Sequence, residues 1–125
     1  MNGHLLLLTE FTIKPGCLEE FKRLVRTEFV PHFRQAEPGL QRYTWYESAD
    51  GTKAYEQSWY ADAADFVEHM KAALVSERFA RLLQTCTVSR VELFGEADES
   101  VRRFLADHGL TVQSYFAGFI RQAGG

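Results

Sequence analysis

The sequence predicts a mixed α+β fold in the order β-α-β-β-α-β, extended by one further helix and strand. Three observations predict it. Apolar positions alternate over residues 4–13. Helical three-and-four spacing follows each of two chain breaks. Two aromatic-rich, strand-like segments flank a turn at Asp50-Gly51. That order is the ferredoxin-like split βαβ arrangement.

Residues 4–13 read as a strand with Leu5, Leu7, Phe11 and Ile13 on one face and Thr9 among them. Its other face carries Leu6 and Leu8 before turning polar at Glu10 and Thr12. A strand that is apolar on both faces at one end expects cover on both sides. Lys14-Pro15-Gly16 breaks it. Over residues 17–36, Leu18, Phe21, Val25, Phe29 and Phe33 recur at helical spacing, and Glu19 and Glu20 favour the positive end of the helix dipole. Pro31 is expected to kink this helix or end it near Val30, because it lacks an N–H and crowds the preceding turn.

Residues 40–47 and 53–60 form a hairpin around the turn at 48–52. An even-numbered loop sets Trp45 opposite Glu56, whereas an odd one sets it beside Tyr55 or Gln57; the sequence leaves both open. Asp62 reads as the N-cap of a second helix with the stripe Phe66, His69, Met70 and Ala73. Ser76 restarts it towards Phe79, Leu82 and Leu83. Residues 87–94 read as a fourth strand ending at Gly95. Val101, Phe104 and Leu105 make a short helix with Gly109 as its C′ residue, and residues 110–120 a last strand. The tail 122–125 is expected to fray. The chain is thus expected to be one domain over 1–125, with a core at 4–94 and an extension at 95–121.

Composition narrows the function. A net charge of −3 without any basic run argues against nucleic-acid binding. The longest leucine run, Leu5 to Leu8, is too short for a signal peptide or a membrane span. Cys17 and Cys86 have neither disulfide nor metal spacing, which points to reduced thiols and a cytoplasmic protein, with Cys17 inert despite its place at a helix start. The nine glycines form no dinucleotide or phosphate loop, and no metal-binding pair or G-x-S-x-G elbow occurs. An enzyme built from this chain is expected to need no cofactor and no metal.

The unpartnered apolar side of the sheet, together with tyrosines and tryptophans of both parities in the hairpin, predicts a homodimer with two sheets face to face. The alternative is that the C-terminal helix and strand cover that side. His69 is the leading candidate for chemistry: an imidazole on a stripe aimed at the sheet suits general-base work, and the competing reading is a core histidine bonded to a backbone carbonyl. Glu10 and Glu56 are expected in surface ion pairs rather than buried. His4, His32 and His108 lie near element ends and read as solvated.

Three segments carry a resemblance. They are Phe11-Thr12-Ile13-Lys14-Pro15-Gly16 with its helix, Glu37-Pro38-Gly39-Leu40-Gln41-Arg42-Tyr43, and Tyr55-Glu56-Gln57-Ser58-Trp59 with His69 ten residues beyond the tryptophan. Over roughly residues 4–94 the chain resembles the antibiotic biosynthesis monooxygenases, which have a dimeric α/β-barrel fold. The resemblance implies oxidation of a small aromatic, phenol, quinol or anthrone-type substrate by O2. The electron-rich deprotonated substrate itself reduces oxygen, and the protein supplies a dry pocket, a base and orienting groups. It implies His69 as the catalytic base, with Thr9, Tyr43, Trp45, Trp59 and Phe79 around the substrate. Many relatives have a second histidine shortly after the first. Here that stretch reads Ser76-Glu77-Arg78-Phe79, which also disfavours the haem ligation of related haem-degrading proteins. The alternative function is a non-catalytic dimer that binds a small molecule in the same pocket.

Overall fold

A computed structural model describes residues 4–119 and Arg121. The elements run β1 (Leu5–Ile13), α1 (Leu18–Leu24), a π-helical segment (Val25–Phe29), α2 (Val30–Ala36), β2 (Leu40–Glu47), β3 (Lys53–Tyr60), α3 (Ala63–Leu74), α4 (Glu77–Leu82), β4 (Cys86–Gly95), α5 (Glu99–Asp107) and β5 (Val112–Ser114). One five-stranded sheet has the order β2-β3-β1-β4-β5. β1 is central and antiparallel to β3 and β4, while β5 adds parallel to β4. This is the ferredoxin-like order with the predicted extra helix and strand.

The period-two pattern of β1 becomes strict alternation of burial, with Leu5, Leu7, Thr9, Phe11 and Ile13 all buried under the helices. The hairpin takes the even-loop register: Tyr43 faces Ser58 and Trp45 faces Glu56. Asp50 accepts from the hydroxyls of Ser48 and Thr52, both at 2.7 Å, and from the Thr52 N–H at 3.0 Å, which fixes the turn. Those donors draw the Asp50 carboxyl down to about 2.

Pro31 does not end the first helix. Helical backbone continues to Ala36, and the π-helical segment lies immediately before the proline, with the Val30 N–H bonded back to the Val25 carbonyl. The wider turn accommodates a ring that cannot donate and would crowd a regular α turn. The last strand is shorter than expected. Pairing stops at Ser114, and residues 115–119 are irregular. Ile120 and the tail 122–125 lie outside the described residues.

Two hydrophobic clusters sit under the helices. One joins Leu5 and Leu7 to Tyr60, Phe66, Leu93, Leu105 and Val112. The other joins Phe11 and Ile13 to Phe21, Leu24, Phe29, Ala54 and Leu82. The helix α5 therefore packs on the same side as α3, not on the far side of the sheet. Leu6, Leu8, Trp59 and Phe94 remain half-buried on that far side. Both cysteines are free; burial pushes the Cys86 thiol up to about 11, which keeps it protonated and unreactive near neutrality. No helix among the described residues is long and apolar enough to cross a membrane.

Candidate active site

Thr9 is the one polar residue in the buried run of β1, and it lies between the two clusters. Cross-strand pairing aligns Trp45, Glu56, Thr9 and Val91 in one row over β2, β3, β1 and β4. Above Glu56, Thr9 and Val91 the clusters part, leaving a cavity of about 340 Å³ between sheet and helices. Thr9 and Glu56 form its floor. Phe29, Phe33, Phe66, Met70 and Phe79 form much of its wall, with His69 and Glu37 among them.

His69 is placed by α3. Asp62 caps that helix, accepting from the Ala64 N–H at 2.9 Å. Phe66 and Tyr60 pack behind the imidazole, with Phe66 stacked on it at 6.3 Å, and Phe33 meets it edge-on at 5.1 Å. Glu37 is placed by the chain's exit from α2. Its N–H bonds the Phe33 carbonyl at 3.1 Å, and its own carbonyl accepts from Leu40 at 3.0 Å. Two residues on, Gly39 lets this turn lie against α3, since a Cβ there would stand 3.2 Å from that of Asp65. Glu37 thereby reaches His69, with carboxylate oxygens 2.8 and 3.0 Å from Nδ1. A carboxylate only accepts, so Nδ1 carries the proton and the lone pair of the neutral ring lies on Nε2. This is not the core histidine bonded to a backbone carbonyl that the sequence also allowed.

Glu56 is 8% exposed, with no cation in ion-pair contact among the described residues. The Thr9 hydroxyl donates to one of its oxygens and the Tyr43 hydroxyl to the other, both at 3.3 Å. Burial raises its pKa above the ordinary carboxylate value. The nearby His69 and the two hydroxyl donors oppose that shift, and the Glu37 charge adds to it. Burial first, and then the Glu56 charge, likewise push the Tyr43 phenol well above its usual value.

The Glu56 shift yields a stability prediction. A carboxyl whose folded-state pKa is raised holds its proton more tightly in the fold. The fold therefore loses stability as pH rises from the unfolded value through the folded one. Glu56→Gln removes this loss. Its urea midpoint is expected to match wild type in acid below the glutamate range and to exceed it at neutral and alkaline pH. A midpoint difference that does not vary with pH would contradict the burial of an uncompensated carboxyl.

His69, Thr9 and Phe79 line the cavity. Tyr43 does not, because its hydroxyl is spent on Glu56 and its ring packs edge-on against Phe33 at 5.2 Å. Trp45 is core, stacked on Phe11 at 5.4 Å and edge-on to Phe21. Trp59 is on the wrong parity of β3 and faces the far side of the sheet, where it meets the ring of His4 at 5.6 Å. It cannot wall a pocket beside His69, despite its nearness in sequence. His4 is half-buried rather than solvated, while exposed His32 stands at the edge of the cavity.

Sequence reasoning missed Glu37, Glu56 and Arg78 as cavity residues. Glu10 makes the expected ion pair, 2.7 Å from Lys53, but Glu56 does not. Its signal was parity: Glu56 alternates in phase with Ala54, Ser58 and Tyr60, all buried. Arg78 lines the cavity with a buried Nε that has no partner among the described residues. No cluster of three metal-ligating side chains occurs among the described residues.

The chain matches the family model described as antibiotic biosynthesis monooxygenase over residues 5–82. No curated protein gives a significant match. Among solved structures it is similar to MupZ from Pseudomonas fluorescens, at 22% identity over 96% of each chain with a TM-score of 0.81. It is also similar to an N63A mutant of SnoaB, a cofactor-independent oxygenase from Streptomyces nogalater, at 20% identity over 77% of this chain and 95% of that one, with a TM-score of 0.58. A further antibiotic biosynthesis monooxygenase matches at 22% identity over 75% of this chain and 99% of its own, with a TM-score of 0.59. The MupZ likeness thus runs through the C-terminal helix and strand, while the other two leave about a quarter of the chain unmatched. A ferredoxin-like sheet, an apolar cavity under its helices and a family match over most of its length together assign the chain to the antibiotic biosynthesis monooxygenase family.

Proposed function

We propose that the protein is a cofactor-independent monooxygenase acting on a small phenol, quinol or anthrone-type substrate. The observation that carries this reading is the Glu37–His69 pair on the wall of an apolar cavity. Glu37 holds the Nδ1 proton, so Nε2 is the atom that accepts a proton from an acidic substrate hydroxyl. Phe33, Phe66 and Phe79 exclude water around the resulting anion, whose own electrons reduce O2. The imidazolium formed is balanced by Glu37.

Oxygen uptake with a panel of naphthols, anthrones and hydroquinones tests the reading. Uptake above the spontaneous rate, with one oxygen consumed per oxidised product, is expected for at least one class. No uptake on any of them overturns it. A ligand that raises the melting temperature yet is recovered unchanged in air would favour the non-catalytic binding protein instead.

A second copy of the chain is the proposed cover for the far side of the sheet. Leu6, Leu8, Trp59 and Phe94 are half-buried there, and the C-terminal helix lies on the opposite side. Residues 115–117 reach only one end of this face, beside His4, Leu6 and Trp59. Light scattering in dilute solution is expected to give about twice the 14.3 kDa of one chain, and a monomer mass would contradict the pairing.

A further inference from the structure

The oxygenase reading uses His69 and Glu37 but gives no task to Glu56, whose carboxyl lies on the floor of the same cavity. We propose that Glu56 is the acid partner of His69, and that the two enolise ketones bearing an adjacent CH2 group inside this cavity without any need for oxygen. The proposal shares the imidazole with the oxygenase reading but not the oxygen chemistry, so each fails separately.

The geometry supplies a base and an acid around one apolar space. His69 enters from α3 with Nδ1 tied to Glu37, and its Nε2 has no protein partner among the described residues. Glu56 enters from β3. The groups that face it are Thr9 from β1 and Tyr43 from β2, whose hydroxyls both donate to it, and His69 from α3 with its bonded Glu37 from the end of α2. Two 3.3 Å hydroxyl contacts are weak compensation for a buried carboxylate, which ordinarily has a cation or several N–H donors around it. Burial shifts this carboxyl towards its protonated form. Because Thr9 and Tyr43 already act as donors, its own O–H is left to a ligand. An imidazole with a free ring nitrogen and a buried carboxyl on the lining of one cavity form a candidate acid–base pair.

The step balances without a co-reactant. Nε2 takes a proton from the carbon beside the carbonyl. The C–H electron pair becomes the new C=C bond, and the carbonyl π pair moves to oxygen. That oxygen takes the Glu56 proton. The enol, a Glu56 carboxylate and a His69 imidazolium result, with Glu37 opposite the imidazolium charge. Reversal returns a proton to carbon.

The probe is 2-tetralone, an apolar bicyclic ketone, incubated with the protein in D2O under argon while proton NMR follows loss of its α-hydrogen signals. Wild type is expected to exchange them at least about 10²-fold faster than buffer, and both Glu56→Gln and His69→Ala to fall to within a few-fold of the buffer rate. Glu56→Gln keeps shape and a donor but has no acid proton to give. No exchange above buffer by wild type overturns the proposal, as does wild-type exchange by folded E56Q. Should E56Q not fold, the wild-type pH profile decides. The rate must fall on the alkaline side as the Glu56 acid ionises, and a rate that does not fall there overturns the role. Exchange under argon together with no oxygen uptake in air on any of the naphthols, anthrones and hydroquinones would sustain this activity and defeat the oxygenase reading.

Discussion

Replacing His69 with alanine is expected to lower kcat for oxygen-dependent substrate oxidation by about 10²–10⁴-fold, the usual contribution of a positioned general base. That loss corresponds to roughly 3–5 kcal/mol of transition-state stabilisation. It should fall on kcat more than on KM, because the walls that bind the apolar body, Phe33, Met70 and Phe79, remain in place. The substitution also strands Glu37, whose carboxylate is bonded to Nδ1 in the intact protein. Added imidazole should restore part of the rate by refilling the gap beside Glu37. Activity within a few-fold of wild type would show that proton removal happens elsewhere.

Leu105→Ala is expected to destabilise the whole chain by about 2–5 kcal/mol, the range for truncating a fully buried leucine. Leu105 is 0% exposed and belongs to the cluster that contains Leu5, Leu7, Tyr60 and Phe66. That cluster also contains Val101 from α5 and Val112 from β5. The C-terminal elements therefore complete the same core that supports the imidazole from behind. Asp98 caps α5 by accepting from the Val101 N–H at 2.9 Å, and Gly109 at a φ of 75° ends it in the αL conformation. Urea unfolding followed by far-ultraviolet circular dichroism and by tryptophan fluorescence should give one shared transition at a lower midpoint. An unchanged midpoint, or a separate early transition in one probe, would make the extension an independent appendage.

Most of the architecture was legible because it rests on local chemistry. The two faces of β1, the cap at Asp62, the restart at Ser76 and the glycine after α5 are each written in a few adjacent residues. The hairpin register was not, since its even and odd alternatives differ by one loop residue. It decided the candidate site: the even register brings Tyr43 and Trp45 onto the helix side, opposite Ser58 and Glu56, while Trp59 turns outward. Glu37 was quoted in the sequence for its Pro38-Gly39 neighbours, yet its contact with His69 spans thirty-two positions and depends on how α3 lies against the end of α2. No local pattern encodes that approach. The helix does not end at Pro31 because a π-helical turn, which has no sequence rule of its own, took up the crowding that would otherwise have broken it.

Bound 1-naphthol reports most directly on whether an imidazole in an apolar cavity takes a proton from a substrate hydroxyl. Its absorption spectrum is recorded at neutral pH while protein is titrated in. The account predicts a saturable growth of the naphtholate band with wild type and only the naphthol spectrum with His69→Ala. Saturable binding of neutral naphthol by wild type, or an equal naphtholate band in the variant, would contradict it.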